Sequence, residues 1–372
     1  MPLDPLAPLS GFTIGVTADR RAAEQIRELE RRGGRVLHGP TIQTCSLSSR
    51  STARSIKRLL ADPPDVVVFM TDLGVDTSFE TAESAQLGDG LCKMLEQVEV
   101  GARGPKAAAA LLSAGRPPDW IAEPARSEEV LARLTRRGVE GQHVALQVDG
   151  DDSASLPKQV AALGARVTCL SLYRWTLPEQ LDPARALVEA VVDRSVDAIT
   201  FTSRPALRGL FAVAAEMDVL EQLVDALCGE VVPVCIGPVC AAEARALGLT
   251  RVIEPERPVL DAMVGVLSEI LSARAGVFDL AGHRVHRQGC LVQIDDMPAV
   301  TMTVRERQVF DLLSERPGVV ISKKDLLRSI WPGSDSEHHT VEVTVSRLRR
   351  RFGDAGDCIE TVIRRGYRLA AG

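Results

Sequence analysis

The chain has 372 residues, 45% of them hydrophobic but only 3% aromatic, and a formal net charge of −6. That length exceeds one ordinary domain, and the apolar share supports sizeable cores resting on Val, Leu, Ala and Ile. No run of eighteen apolar residues supplies a membrane helix, and MPLDPLAPLSG has no basic stretch leading into an apolar one. A cytoplasmic protein with no membrane partner and no signal peptide is therefore expected. The eight cysteines (45, 92, 169, 228, 235, 240, 290, 358) never form C-x-x-C and sit mostly in apolar segments such as Val232-Pro233-Val234-Cys235-Ile236. They read as buried thiols in a reducing compartment, neither disulfides nor a zinc site.

Residues 1–272 repeat themselves at a spacing of 130 to 133. Gly11-Phe12-Thr13-Ile14-Gly15-Val16 answers to Gly141-Gln142-His143-Val144-Ala145-Leu146. The helix end at Gly33 answers to that at Gly164. Asp65 to Thr71 answers to Asp197 to Ser203, Gly104-Pro105 to Gly237-Pro238, and Glu123-Pro124 to Glu254-Pro255. The period is too long for a solenoid. Each copy runs strand, helix, strand, helix, strand, helix, which predicts two duplicated parallel α/β domains around a cleft. In such sheets ligands sit at the carboxyl ends of strands, against helix N-termini whose free N–H groups favour anions. Thr17, Thr71, Ser203, Arg204 and Gly237 all lie where a strand hands over to a helix. Ser203 either binds a ligand carboxylate or caps its own helix.

After a short linker, 273–276, the residues from 277 to 372 form a separate unit. Short strand-like pieces between Val277 and Val304 are broken by Gly282, Gly289 and Pro298. Thr303 with Glu306 reads as a capping box opening a first helix. Ser322 caps a second helix, which stops at Trp331-Pro332-Gly333. A third helix covers Thr340 to Phe352, with Val341, Val345, Leu348 and Phe352 on one face. The opposite face carries Val343, Ser346, Arg347 and Arg350. Ile359 to Leu369 then reads as a hairpin bent at Gly366. An Arg on that opposite face can donate to guanine O6 and N7, and Val can touch a thymine methyl. From Thr340 to Tyr367 six arginines face four acids, a net +2, so the order of elements carries this reading and bulk charge does not. The pair His338-His339 reads as facing solvent or phosphate more readily than as a metal site.

These motifs carry two resemblances. Residues 277–370 resemble the OmpR/PhoB-type winged-helix domain, through Thr340 to Phe352, Trp331-Pro332-Gly333 and Gly366-Tyr367-Arg368-Leu369. The resemblance implies that the third helix enters the major groove of double-stranded DNA and that the hairpin is a wing. Arg347 and Arg350, with Arg351 beside them, then lie at the DNA. Ile363 stands where the family commonly has an Arg, so either Arg364 or Arg365 takes that place. Residues 11–272 resemble uroporphyrinogen-III synthase, through Phe201-Thr202-Ser203, Ile236-Gly237-Pro238, the Ala-rich helix after each Gly-Pro, and Tyr173-Arg174. That family implies one lobe built from both ends of the segment, about 1–40 plus 176–272, and another from its middle, about 41–175. It implies closure of hydroxymethylbilane with loss of water, no cofactor and no metal, with Tyr173 matching a tyrosine proposed to act. Several polar positions differ. Ala107 and Cys240 replace the Thr that follows each Gly-Pro turn, and Asp149-Gly150-Asp151-Asp152 stands where the family tends to place an Arg.

A fold that keeps its architecture and changes its polar groups suits retuned binding better than catalysis. The expected function is a DNA-binding transcriptional regulator. Its synthase-like module takes a small anionic, tetrapyrrole-related ligand in the interdomain cleft, and a homodimer on tandem half-sites is compatible with the winged-helix type. The alternative is a bifunctional uroporphyrinogen-III synthase with a DNA-binding domain. A phosphorelay receiver is disfavoured, because a duplication stands where its acidic pair, Asp and Lys would be.

Overall fold

The structure, a computed structural model, describes residues 7–46, 49–148, 155–280, 282–331 and 338–370. The acidic run Asp149 to Asp152, the Pro332-Gly333 turn and the side chain of His338 lie outside the described residues. The chain divides into two compact units, Met1–Ile42 with Leu177–Gly372, and Gln43–Thr176.

The first unit holds a four-stranded parallel sheet in the order Val232–Cys235, Ala198–Phe201, Thr13–Val16, Arg35–His38. Strands Ala198–Phe201 and Val232–Cys235 are buried along their whole length, and Thr13–Val16 from Ile14 on, as parallel strands covered by helices must be. Helices Arg204–Glu216 and Asp182–Val192 pack Leu187, Val191, Leu207 and Leu210 into one core layer. Helix Leu260–Ser272 closes the other layer with Met263, Val264, Leu267 and Leu271.

The second unit holds a five-stranded parallel sheet, Trp120–Ile121, Glu99–Ala102, Val66–Phe69, His143–Val148, Arg166–Ser171. A separate antiparallel pair, Gln43–Ser46 with Tyr173–Thr176, belongs to the same unit. The two parallel sheets agree with the expected α/β duplication. The repeats and the sheets do not coincide, however. The first strand of each copy crosses over: Thr13–Val16 pairs with Ala198–Phe201 of the second copy, and His143–Val148 pairs with Val66–Phe69 of the first.

The C-terminal part of the first unit begins with an antiparallel meander, Gly276–Leu280, His283–Gln288, Leu291–Ile294 and Val300–Thr301. Helices Val304–Ser314, Lys323–Ile330 and His338–Phe352 follow, then the hairpin Ile359–Val362 with Gly366–Leu369. This is a winged helix. Thr303 and Glu306 form the expected capping box, and Ser322 accepts from Asp325 N. Val309, Phe310, Val341, Val345, Leu348, Phe352 and Tyr367 share its core. The bend of the hairpin lies at Ile363 to Arg365, ahead of Gly366, and Arg364 takes the left-handed conformation there at φ 61°. Gly366, at φ 141°, opens the second strand, where a Cβ would stand 2.0 Å from the Ile321 carbonyl oxygen.

Among the described residues no helix is long and apolar enough to cross a membrane. All eight thiols are free, and only Cys235, Cys240 and Cys358 are buried. Cys92 and Cys169 are exposed, against the expectation. Cys92 sits on the outer side of a helix that buries Leu91, Met94 and Leu95, and Cys169 lies on the edge strand of its sheet.

Candidate nucleic-acid interface and ligand site

Helix His338–Phe352 turns its apolar stripe fully inward, with Val341, Val345 and Leu348 at 0–1% exposure. Ser346, Arg347, Arg350 and Arg351 are thereby exposed, and Val343 is half-buried. Arg347 and Arg350 have no hydrogen-bond or ion-pair partner among the described residues, although carboxylates hold many other arginines of this chain. Arg351 differs. Its Nε lies 2.8 Å from Glu306 Oε2, and that carboxylate is 1% exposed while also accepting the Thr303 backbone N–H at 2.7 Å. Arg351 is thus the counter-charge of a buried helix cap. Arg349 turns the other way and donates to the Ile359 carbonyl and to Thr361 Oγ1, tying the third helix to the wing. At the wing tip Ile363 is 82% exposed, and Arg364 and Arg365 are exposed with no partner among the described residues. Two separate elements therefore present free guanidinium groups, together with small or apolar side chains.

The expected ligand residues fall into two groups. In the second unit, Thr71 is the N-cap of helix Asp72–Ser84, accepting from Gly74 N at 3.0 Å, and its Oγ1 lies 2.9 Å from Tyr173 Oη. Gln147 organises this corner, since its Oε1 accepts from Met70 N, Thr71 N and Thr71 Oγ1 at 3.0, 3.0 and 3.2 Å. Sequence reasoning passed over Gln147; the signal was a lone amide in the strand His143–Val148, which is buried along its whole length. Tyr173 is only 2% exposed. In the first unit, Thr17 is fully buried and donates to the Thr200 carbonyl at 2.8 Å, so it stitches two strands together. Ser203 caps helix Arg204–Glu216 by accepting from Ala206 N at 3.3 Å, and Arg204 occupies the first turn of that helix. Gly237 precedes the first turn of Pro238–Ala246, where a Cβ would meet Pro258 Cβ at 2.7 Å. Cys240 is a core group, 3% exposed, donating to the Phe201 carbonyl at 3.7 Å. Hydrogen bonding to Cys235 and burial push its thiol far above the ordinary range, so it stays neutral.

The winged helix is docked on the lobe that shares its unit. Asp197, one residue before strand Ala198–Phe201, accepts Thr13 N through Oδ2 at 2.8 Å and binds Arg307 through Oδ1. Both side chains of this ion pair are nearly buried, 11% and 7% exposed. Gln308 donates to the Asp193 carbonyl at 3.1 Å, and Cys290 N donates to the Gly11 carbonyl at 2.8 Å. Gly11, at φ 80°, and Gly289, at φ 56°, let the backbones touch, for a Cβ on either would come within 2.3 Å of a carbonyl oxygen opposite. The sequence marks Gly11 and Asp197 as repeat landmarks and Gly289 as a strand breaker but none of these residues as a docking contact, because each is an ordinary charged or small residue until its partner is known.

Residues 23–265 match the family described as uroporphyrinogen-III synthase HemD, and residues 297–369 match the family described as transcriptional regulatory protein, C terminal. A putative uroporphyrinogen-III synthase of Methanothermobacter thermautotrophicus is 30% identical over 248 residues, covering 67% of this chain and 94% of that protein. The transcriptional regulatory protein CseB of Streptomyces avermitilis is 33% identical over 97 residues, covering 26% of this chain and 40% of that protein. Among solved structures, a mutant uroporphyrinogen III synthase of Thermus thermophilus is similar with a TM-score of 0.58 at 26% identity, covering 71% of this chain and 100% of that one.

Proposed function

Since the chain belongs to the uroporphyrinogen-III synthase HemD family and carries a winged-helix transcriptional-regulator domain at its C-terminal end, we propose that it is a DNA-binding regulator whose synthase-like module senses a small anionic ligand. The observation that carries the DNA reading is that Arg347 and Arg350 have no partner among the described residues, on a helix whose other face is fully committed to the core. Unpaired guanidinium groups beside Ser346 and Val343 match what base edges offer in a major groove, and the exposed Ile363-Arg364-Arg365 tip suits the backbone or minor groove beside it. The ligand reading rests on the Ser203 and Gly237 helix starts, which offer N–H groups with no acid in the first turn. No cofactor enters this reading. A gel-shift titration on the chain's own upstream region tests it. A specific complex weakened by Arg347→Ala and by Arg350→Ala is expected, and its absence at any protein concentration overturns the reading.

One observation favours a second reading, a synthase that also binds DNA. The Tyr173 hydroxyl stands 2.9 Å from Thr71 Oγ1 at a helix start, a placement suited to proton movement near a bound polycarboxylate. Feeding hydroxymethylbilane and separating the products decides it. The III isomer formed above the spontaneous background supports synthase activity, and the I isomer alone removes it.

A further inference from the structure

Helix Ser49–Ala61 has the sequence SRSTARSIKRLLA. At 100° per residue Thr52, Ile56 and Leu59 fall on one side, and all three are buried at 1–2% exposure. Arg50, Arg54, Lys57 and Arg58 fall within a 100° arc on the opposite side, and all four are exposed. The helix contains no Asp or Glu. None of the four cations has an ion-pair or side-chain hydrogen-bond partner among the described residues. That separates them from Arg32, Arg116, Arg137, Arg166, Arg208 and Arg245, each held by a carboxylate. The ordinary fate of a basic helix face is solvation, and such a face is usually laced with acids at i, i+3 or i+4. Here Arg50 with Arg54 and Arg54 with Arg58 are like-charge pairs at i, i+4, each costing the helix about 0.2–0.5 kcal/mol. A row of repelling cations on a chain of net charge −6 is relieved by a polyanion laid along it.

We infer that this face of helix Ser49–Ala61 is a second docking surface for the phosphate backbone of duplex DNA, separate from the winged helix and without base specificity. Four cations spaced along little more than two turns, about 12 Å from Arg50 to Arg58, span two to three phosphates of one strand. The surface carries no aromatic platform and no amide side chain, so it reads charge alone and leaves sequence to the third helix of the head. The choice of duplex DNA as the polyanion rests on the DNA-binding reading above. The charge geometry stands without it.

The full chain is titrated against a 60-base-pair duplex of arbitrary sequence over a range of salt, with anisotropy as readout. The comparison is with R50A/R54A/K57A/R58A, with the charge-keeping R50K/R54K/R58K, and with R347A/R350A. Each phosphate contact contributes roughly 0.9 to the slope of log affinity against log salt. The alanine variant is expected to lose about 2–3 units of slope and the lysine variant to keep them, with circular dichroism unchanged in both. An alanine variant that binds with the wild-type slope overturns the inference and leaves the head reading intact. A wild-type chain with no duplex affinity overturns both. A loss confined to R50A/R54A/K57A/R58A, with R347A/R350A unaffected on specific and arbitrary duplexes alike, supports the helix and removes the head reading. An effect seen only with a small polycarboxylate probe, the duplex slope being unchanged, assigns the stripe to a small anion and also overturns the inference.

Discussion

Arg347, Arg350 and Arg351 stand within five residues on one helix, yet they have different work. The first two are exposed and have no partner among the described residues, and the third neutralises Glu306 inside the helix cap. Arg347→Ala and Arg350→Ala should each cost DNA affinity about 1–3 kcal/mol where they touch bases, with the urea midpoint unchanged. Arg351→Ala should do the reverse. It strands a carboxylate that is 1% exposed, so unfolding free energy should fall by about 1–3 kcal/mol while specificity is kept. Urea titrations paired with gel shifts separate the two classes, and a stable Arg351→Ala that no longer discriminates between operators would reverse the assignment. The helical spacing places Arg347 and Arg350 on the outward side, where the structure has them, and the resemblance adds Arg351 beside them. The sequence could not divide them, because Glu306 lies 45 positions away from Arg351 and becomes its partner only when the first and third helices pack. The thiols tell the same story. Apolar neighbours in sequence suggested burial throughout, but Cys92 faces outward, whereas burial pushes Cys358 up to about 11. Native-state alkylation near pH 7.5 followed by peptide mapping should label Cys92 and spare Cys235, Cys240 and Cys358. Labelling of Cys240 at a rate like that of Cys92 would contradict the core packing.

At the scale of elements, local pattern was a good guide wherever the stabilising partner lies close along the chain. The Thr303–Glu306 box, the Ser322 cap and the inward stripe of the third helix all follow from spacings of three or four residues. The hairpin was found too, but its bend was placed on Gly366 because glycine is the usual residue for a turn. The turn instead uses Arg364 at φ 61°, and glycine is required two residues later, where the second strand crosses the Ile321 carbonyl. Gly366→Ala therefore meets two obstacles, a left-handed φ of 141° and a carbonyl oxygen 2.0 Å from the new Cβ. Relief requires the wing to lift off Ile321 and break the paired Tyr367–Ile321 hydrogen bonds. A loss of about 2–4 kcal/mol is expected, with amide exchange of Ile321 and Tyr367 accelerating first. Unchanged protection at those two amides would show that the wing tolerates the methyl. The strand exchange between the repeats lies beyond local pattern altogether. Parallel strands of the two copies are alike in being short and mostly apolar, so nothing in the residues of Thr13–Val16 chooses Ala198–Phe201 over Val66–Phe69 as a neighbour.

For the molecule as a whole, the informative feature is the way the DNA-reading head joins its lobe. Asp197 holds the amino ends of two neighbouring parallel strands together through Thr13 N, and with its other oxygen it holds Arg307 of the head's first helix. The same two strands run four residues to their carboxyl ends, where Thr17, Thr200 and Ser203 lie. The head is thus fastened to the opposite end of the strands from the expected ligand groups, by a nearly buried ion pair and not by a flexible tether. Removing one partner of a buried pair leaves the other desolvated and uncompensated, which typically costs about 3–5 kcal/mol. Arg307→Met should therefore destabilise the chain by roughly 3 kcal/mol and split head from lobe, giving two unfolding transitions where the parent gives a coupled one. Asp197→Asn keeps the acceptor for Thr13 N but loses the charge, so it should produce the same split with the lobe's own transition little changed. The double variant separates docking from simple destabilisation. If the pair is the fastener, losing both charges leaves no buried ion without a partner, and the double variant should recover at least 1 kcal/mol relative to the sum of the two single losses. Strictly additive losses, or one unsplit transition in Arg307→Met, would show that the head is held by its other contacts, the Cys290–Gly11 backbone bond and the Gln308–Asp193 bond among them, and that Asp197 serves only its own sheet.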